Sequence, residues 1–166
     1  MRKLTILVAT ALMLATILAL SGVAQTAPVG GKADAKCLAE ANKTLQPGFK
    51  PSDYNFVGGT EGIDRRDTLT ATDGPDVFCG FGGDDAIDGL DRGDIFLGGA
   101  GNDRVSNSNY GTFYGGEGTD YVNFNEGTFF GGEGDDVVGY NYPGGTFYGE
   151  GGDDDVFSDQ GGTFVQ

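Results

Sequence analysis

The feature that most constrains this chain is a nine-residue period. Frames of the form G-G-x-G-x-D-x-U-x, with U a large apolar residue, begin at residues 62, 71, 80, 89 and 98. Aspartate holds position six at Asp67, Asp76, Asp85, Asp94 and Asp103. An apolar residue holds position eight at Leu69, Phe78, Ile87, Phe96 and Val105. The stretch Gly98–Ser106 fits at every defined position. A unit this short cannot bury its own apolar face, so it must stack on copies of itself. Its glycine-rich part turns sharply, because glycine adopts positive φ without a Cβ clash. Its D-x-U-x part is a short strand with U turned inward by the two-residue alternation. Two units then make one flattened coil of two strands and two turns, and coils stack about 4.8 Å apart through strand pairing. The expected fold class is all-β, a parallel β-roll (β-solenoid) over residues 62–166.

Beyond Ser106 the unit changes. Fuller copies recur at Gly115–Val122 and Gly131–Val138, with a looser one at Gly149–Val156. Between them stand half-units containing Gly-Thr-Phe, at Gly111, Gly127, Gly145 and Gly162. Those glycines are 16, 18 and 17 residues apart, close to one turn of a roll. Turns a coil apart share an edge. Edge one carries the turns beginning at 62, 80, 98, 115, 131 and 149. Edge two carries those at 71, 89 and 107, followed by the half-units, where glycine replaces the position-six aspartate. Each pair of stacked turns presents aspartate carboxylates and turn carbonyls to a shared gap. Hard oxygen ligands in a flexible loop suit Ca2+, which takes six to eight of them. Four gaps on edge one and one on edge two, between Asp76 and Asp94, give an expectation of about five calcium sites.

These repeats resemble the RTX (hemolysin-type) calcium-binding repeat, with Gly98–Ser106 the clearest match. The resemblance implies a right-handed β-roll ordered by calcium. It implies carboxylate ligands at Asp76, Asp85, Asp94, Asp103, Asp120, Asp136 and Asp154, with turn carbonyls from glycines such as Gly98, Gly101, Gly115 and Gly118. Two departures weaken parts of the pattern. Arg65 and Arg66 stand in the first turn beside Asp67, and Arg92 takes the position-four glycine near Asp94.

Charge points the same way. The formal net charge is −15, and loss of the N-terminal segment with Arg2 and Lys3 takes it to −17. A compact fold at that charge repels itself and calls for bound cations. The same charge argues against nucleic acid as a partner, since phosphate contacts need a basic surface. Residues 1–24 read as a signal peptide: Arg2 and Lys3, an apolar run from Leu4 to Leu20, then Gly22-Val23-Ala24 as small residues before a cleavage point. The protein is therefore expected to be secreted, with no membrane association after cleavage. Residues 25–61 read as a linker and N-terminal cap, with Ala33–Leu45 a short helix whose Leu38, Ala41 and Leu45 share a face. Tyr54, Phe56 and Val57 suggest a first strand. Cys37 and Cys79 are the right number for one disulfide in an exported chain, the other reading being two free thiols.

Catalysis finds little support. There is no histidine to act as base or zinc ligand and no G-x-S-x-G, so no enzyme is expected. A second binding function is open. Thr112, Thr128, Thr146 and Thr163 should form one outward column, with Tyr114, Phe130, Tyr148 and Val165 a parallel one. Such a ladder is an alternative adhesive surface for a glycan, a surface polymer or ice, although threonine and aromatics are also ordinary strand residues. The last half-unit ends in a strand, from which end-to-end self-association is expected.

Overall fold

The computed structural model describes residues 32–45, 47–59 and 66–166. The signal-peptide reading at 1–24, most of the linker and the Arg65 position lie outside those residues. Among the described residues the first elements are α1 (Lys32–Thr44) and a 3-10 turn (Pro51–Asp53). Thirteen strands follow: β1 (Asn55–Gly58), β2 (Thr68–Leu69), β3 (Asp76–Gly82), β4 (Ala86–Ile87), β5 (Ile95–Ala100), β6 (Arg104–Asn109) and β7 (Thr112–Glu117). The remainder are β8 (Tyr121–Asn125), β9 (Thr128–Glu133), β10 (Val137–Asn141), β11 (Thr146–Gly151), β12 (Asp155–Asp159) and β13 (Thr163–Val165).

Odd strands form one parallel sheet in the order β1-β3-β5-β7-β9-β11-β13, and even strands form a second, β12-β10-β8-β6-β4-β2. Each coil thus gives one strand to each sheet. The register is that of the repeat: Phe78 pairs with Phe96, Phe96 with Phe113, Phe113 with Phe129 and Phe129 with Phe147. In-register parallel pairing stacks like on like. The rings of Phe96, Phe113, Phe129, Phe147 and Phe164 follow one another at 4.8–4.9 Å, within 9° of parallel. Leu69, Ile87, Val105, Val122 and Val138 face them from the even sheet. The inward column read from position eight is therefore the core.

A second apolar cluster lies outside the roll, where α1 covers the first coils. Cys37 and Ala41 are fully buried against Val77, Cys79 and Leu97. The helix face differs from the expected one: Cys37, Ala41 and Leu45 turn inward, while Leu38 is only half-buried. The cause is a bond between Cys37 and Cys79, which ties the helix to β3 with a Cα separation of 5.4 Å. Phe81 joins the same cluster although its φ is +73°. Its register partner Gly99 has φ +110°, so position two of the turn demands a left-handed backbone. Burial of the Phe81 ring offsets that strain, of order 1–2 kcal/mol.

Candidate metal centre

Edge one is built from one turn per coil, each ending in an aspartate at the foot of an even strand. Asp85, Asp103, Asp120 and Asp136 are almost fully buried, and Asp154 is partly so. Each carboxylate reaches back to the coil before it. Asp67 N–H donates to Asp85 Oδ1 at 2.7 Å, Asp85 N–H to Asp103 Oδ1 at 2.8 Å, and Asp103 N–H to Asp120 Oδ1 at 2.7 Å. Asp120 N–H donates to Asp136 Oδ1 at 2.7 Å, and Asp136 N–H to Asp154 Oδ1 at 3.0 Å. One oxygen of every aspartate therefore fixes the stacking.

The other oxygen has no such role. Oδ2 of Asp85, Asp103, Asp120, Asp136 and Asp154 is buried and has no hydrogen-bond partner. Buried polar atoms are nearly always satisfied, so five in a row point to a missing cationic partner. The space around them is kept by glycine. A Cβ on Gly98 would collide with Asp103 Oδ2 and stand 2.7 Å from the Gly115 carbonyl oxygen. One on Gly115 would meet Asp120 Oδ2 and the Gly131 carbonyl, and one on Gly131 would meet Asp136 Oδ2 and the Gly149 carbonyl. Gly80 repeats the arrangement with Asp85 and the Gly98 carbonyl. Carbonyls of Gly101 and Gly118 line the next position out, against Gly118 and Gly134. Carboxylate and carbonyl oxygens thus converge at each gap. Among the described residues no three carboxylates gather on one point, so an ion held here takes most of its ligands from the backbone. That donor set fits Ca2+, which accepts carbonyls in irregular geometry.

Electrostatics agrees. Burial pushes the carboxyl of Asp85 up to about 6, Asp103 to about 7, Asp120 to about 8 and Asp136 to about 6. The backbone N–H bond to each opposes this, and neighbouring carboxylates add to it. Without a cation Asp103 and Asp120, the two most raised, keep a proton for a substantial part of the time at neutral pH.

Edge two is different. Asp94 is buried, but Asp76 N–H donates to its Oδ1 at 3.0 Å and Asp91 N–H to its Oδ2 at 3.0 Å. Asp76 accepts Thr72 N–H at 2.8 Å and the Thr72 hydroxyl. Both oxygens of each carboxylate are thus hydrogen-bonded, one of Asp94's by the preceding coil, and Arg92 is exposed two residues before Asp94. Further along, Gly111 occupies the register of Asp94, as the half-unit alignment implies. The sequence reading missed what replaces the aspartate: Asn109, Asn125 and Asn141 are fully buried in one register. Asn109 Nδ2 donates to Asn125 Oδ1 at 2.9 Å, and Asn125 Nδ2 to Asn141 Oδ1 at 2.9 Å. The signal was there, as Asn two residues before Gly-Thr-Phe in Asn109-Tyr110-Gly111 and Asn125-Glu126-Gly127.

The first turn of edge one also departs from the nine-residue frame. Asp67 keeps its place, but the pairing of Gly58 with Cys79 puts Gly59, not Gly62, opposite Gly80. The chain has three more residues between Gly59 and Asp67 than between Gly80 and Asp85. Arg66 bridges to Asp84, donating to its carbonyl at 3.1 Å and its carboxylate at 3.3 Å.

On the outer face of the odd sheet, Thr112, Thr128, Thr146 and Thr163 pair in register, as do Tyr114, Phe130, Tyr148 and Val165. Tyr114, Phe130 and Tyr148 stack at 4.8–4.9 Å, 8° from parallel, so each ring face lies against its neighbour.

A parallel roll with buried carboxylates and carbonyls aligned along one edge defines a metal-binding solenoid. Residues 61–91, 88–106, 112–128 and 146–165 match the profile of the RTX calcium-binding nonapeptide repeat. The chain belongs to that family. Its calcium-binding repeats make calcium the ion for which these turns are built. The turn Gly131–Asp136 falls between matched copies, yet it carries the same unpartnered Oδ2. No match was found among curated proteins or among solved structures.

Proposed function

We propose that this is a secreted, non-enzymatic calcium-binding protein whose edge-one turns become ordered when calcium enters the gaps between coils. The row of five buried Oδ2 atoms without partners carries the reading. Asp85, Asp103, Asp120, Asp136 and Asp154 would supply the carboxylates, with the carbonyls of Gly98, Gly115, Gly131 and Gly149 beside them. Bound calcium supplies the positive charge that lets a buried row of carboxylates stay ionised. Asp76 and Asp94 are weaker ligands on this reading, because both oxygens of each already accept hydrogen bonds, from Thr72 for Asp76 and from Asp76 and Asp91 for Asp94. The number of ions is then four, one for each gap between the five orphaned carboxylates. Extracellular calcium modules commonly bind at about 10⁻⁴–10⁻³ M. An N-terminal signal peptide would deliver the chain to such a medium, and the apolar run at Leu4–Leu20 supports that route.

The test is a calcium titration followed by circular dichroism and calorimetry. About four ions and a gain of β signal over the chelated state are expected. A β spectrum identical with and without chelator would reject the folding claim, and an absence of binding heat would reject the sites. The adhesive alternative draws support from the regular threonine column. Its aromatic column offers a ligand ring edges rather than faces, which suits sugar stacking poorly.

A further inference from the structure

Edge two keeps the same stacking as edge one but reaches it by other means. We infer that the asparagine column is a metal-independent seam, which holds the coils in register along edge two so that calcium is needed on edge one alone. The inference rests on the calcium reading only for edge one.

The seam is self-sufficient where edge one is not. An amide side chain carries both a donor and an acceptor, so identical residues in parallel register satisfy each other in sequence. Asn109 donates to Asn125, and Asn125 to Asn141. Asn109 and Asn141 also reach the Thr128 and Thr163 carbonyls, at 3.2 and 3.1 Å. A carboxylate has no donor, so an aspartate column leaves an oxygen over at every step. The backbone along the seam is paired as well: Tyr110 N–H donates to the Leu90 carbonyl, Glu126 N–H to Asn109 and Tyr142 N–H to Asn125, all at 2.8–2.9 Å. The seam has definite ends. Asn109 Oδ1 is buried and unpartnered because Leu90, its register partner in the preceding coil, has no donor to give. At the far end Asp159 pairs with Asn141 but turns its Oδ1 to the N–H groups of Gly161 and Gly162.

Hydrogen exchange of the full chain in chelator tests this. The reporters on edge two are the amides of Tyr110, Glu126 and Tyr142. Those on edge one are the amides of Gly101, Gly118 and Gly134, which also bond carbonyls of the next coil. Edge-two amides are expected to exchange at least tenfold more slowly than edge-one amides, and calcium to protect both. Asn125→Ala should erase that difference in chelator while the number of calcium ions at saturation stays the same. Asn125→Asp, which keeps the acceptor for Asn109 and loses the donor to Asn141, should act likewise if the alanine variant does not fold. Equal exchange at both edges of the unaltered chain would overturn the seam, as would protection unaffected by either substitution. If the unaltered chain binds no calcium, the proposed function falls while the chelator comparison still decides the seam.

Discussion

Asp120 allows the two roles of an edge-one carboxylate to be separated. Its Oδ1 accepts the buried Asp103 N–H at 2.7 Å, and its Oδ2 has no partner. Asp120→Ala removes both oxygens and leaves the Asp103 N–H orphaned in a buried site. That penalty is about 1–3 kcal/mol, and on a fold of this size each kcal/mol lowers Tm by roughly 2–4 °C. Asp120→Asn keeps an acceptor for Asp103 and places an NH2 at the Oδ2 position, beside Gly115, which the Gly131 carbonyl also approaches. With its carboxyl raised to about 8, Asp120 is largely protonated at pH 7 without metal, so asparagine imitates its neutral form. In chelator the asparagine variant should therefore melt with the parent or above it, and the alanine variant well below. In calcium both should fall short, because Asp120 borders two gaps, and calorimetry should count about two ions instead of four. Thermal melts in chelator and in calcium, paired with titration calorimetry, read all of this. If the asparagine and alanine variants melt together in chelator, the division of labour between Oδ1 and Oδ2 is wrong. If the asparagine variant still binds four ions, the carboxylates are not the ligands.

Three further outcomes follow. Metal-free stability should fall as pH rises: Asp85, Asp103, Asp120 and Asp136 have folded-state values of about 6 to 8 against an ordinary 3.8. Their contribution is complete below about pH 4 and lost as pH climbs through 6 to 8. Melts in chelator at pH 5 and pH 8.5 check the sign, and excess calcium should reverse it because the ion competes with those protons. Reduction of Cys37–Cys79, which closes a loop across 42 positions, should lower stability by about 4 kcal/mol, seen as a drop in denaturant midpoint. Phe113→Ala, in the middle of the ring column, should lower it by about 3–5 kcal/mol, with calcium recovering part of the loss.

The coil and its edges were legible because period and register are the same thing in a solenoid. Asp67 to Asp103 at intervals of nine fixed which residues stack, and Phe113, Phe129 and Phe147 fell in the inward column once Gly111 was aligned on Asp94. Less legible was anything that depended on which atom meets which. The two oxygens of Asp120 are equivalent in a sequence and opposite in the fold. Asp94 reads like Asp85, yet the turn Gly89-Leu90-Asp91 bends an N–H onto its second oxygen. Asn109, Asn125 and Asn141 escaped notice because the template has no asparagine there, and their 16-residue spacing differs from the 18 of a full coil. The helix face moved from Leu38 to Cys37 because a covalent bond outranks a weak apolar preference.

The two edges answer one electrostatic problem in opposite ways. Two carboxylates about 4.8 Å apart repel by roughly 3–4 kcal/mol at an effective dielectric of 20. Such a column is costly unless cations lie between its members. Asparagine removes the problem, each amide bond adding about 1 kcal/mol with or without calcium. A roll with aspartate on both edges would depend on calcium everywhere. A roll with asparagine on both would ignore calcium. This chain keeps the orphaned oxygens on one edge and the closed amide chain on the other. On the proposed function the calcium response would be confined to edge one, against a register held by the disulfide-tied cap and, on the inferred seam, by Asn109 to Asn141.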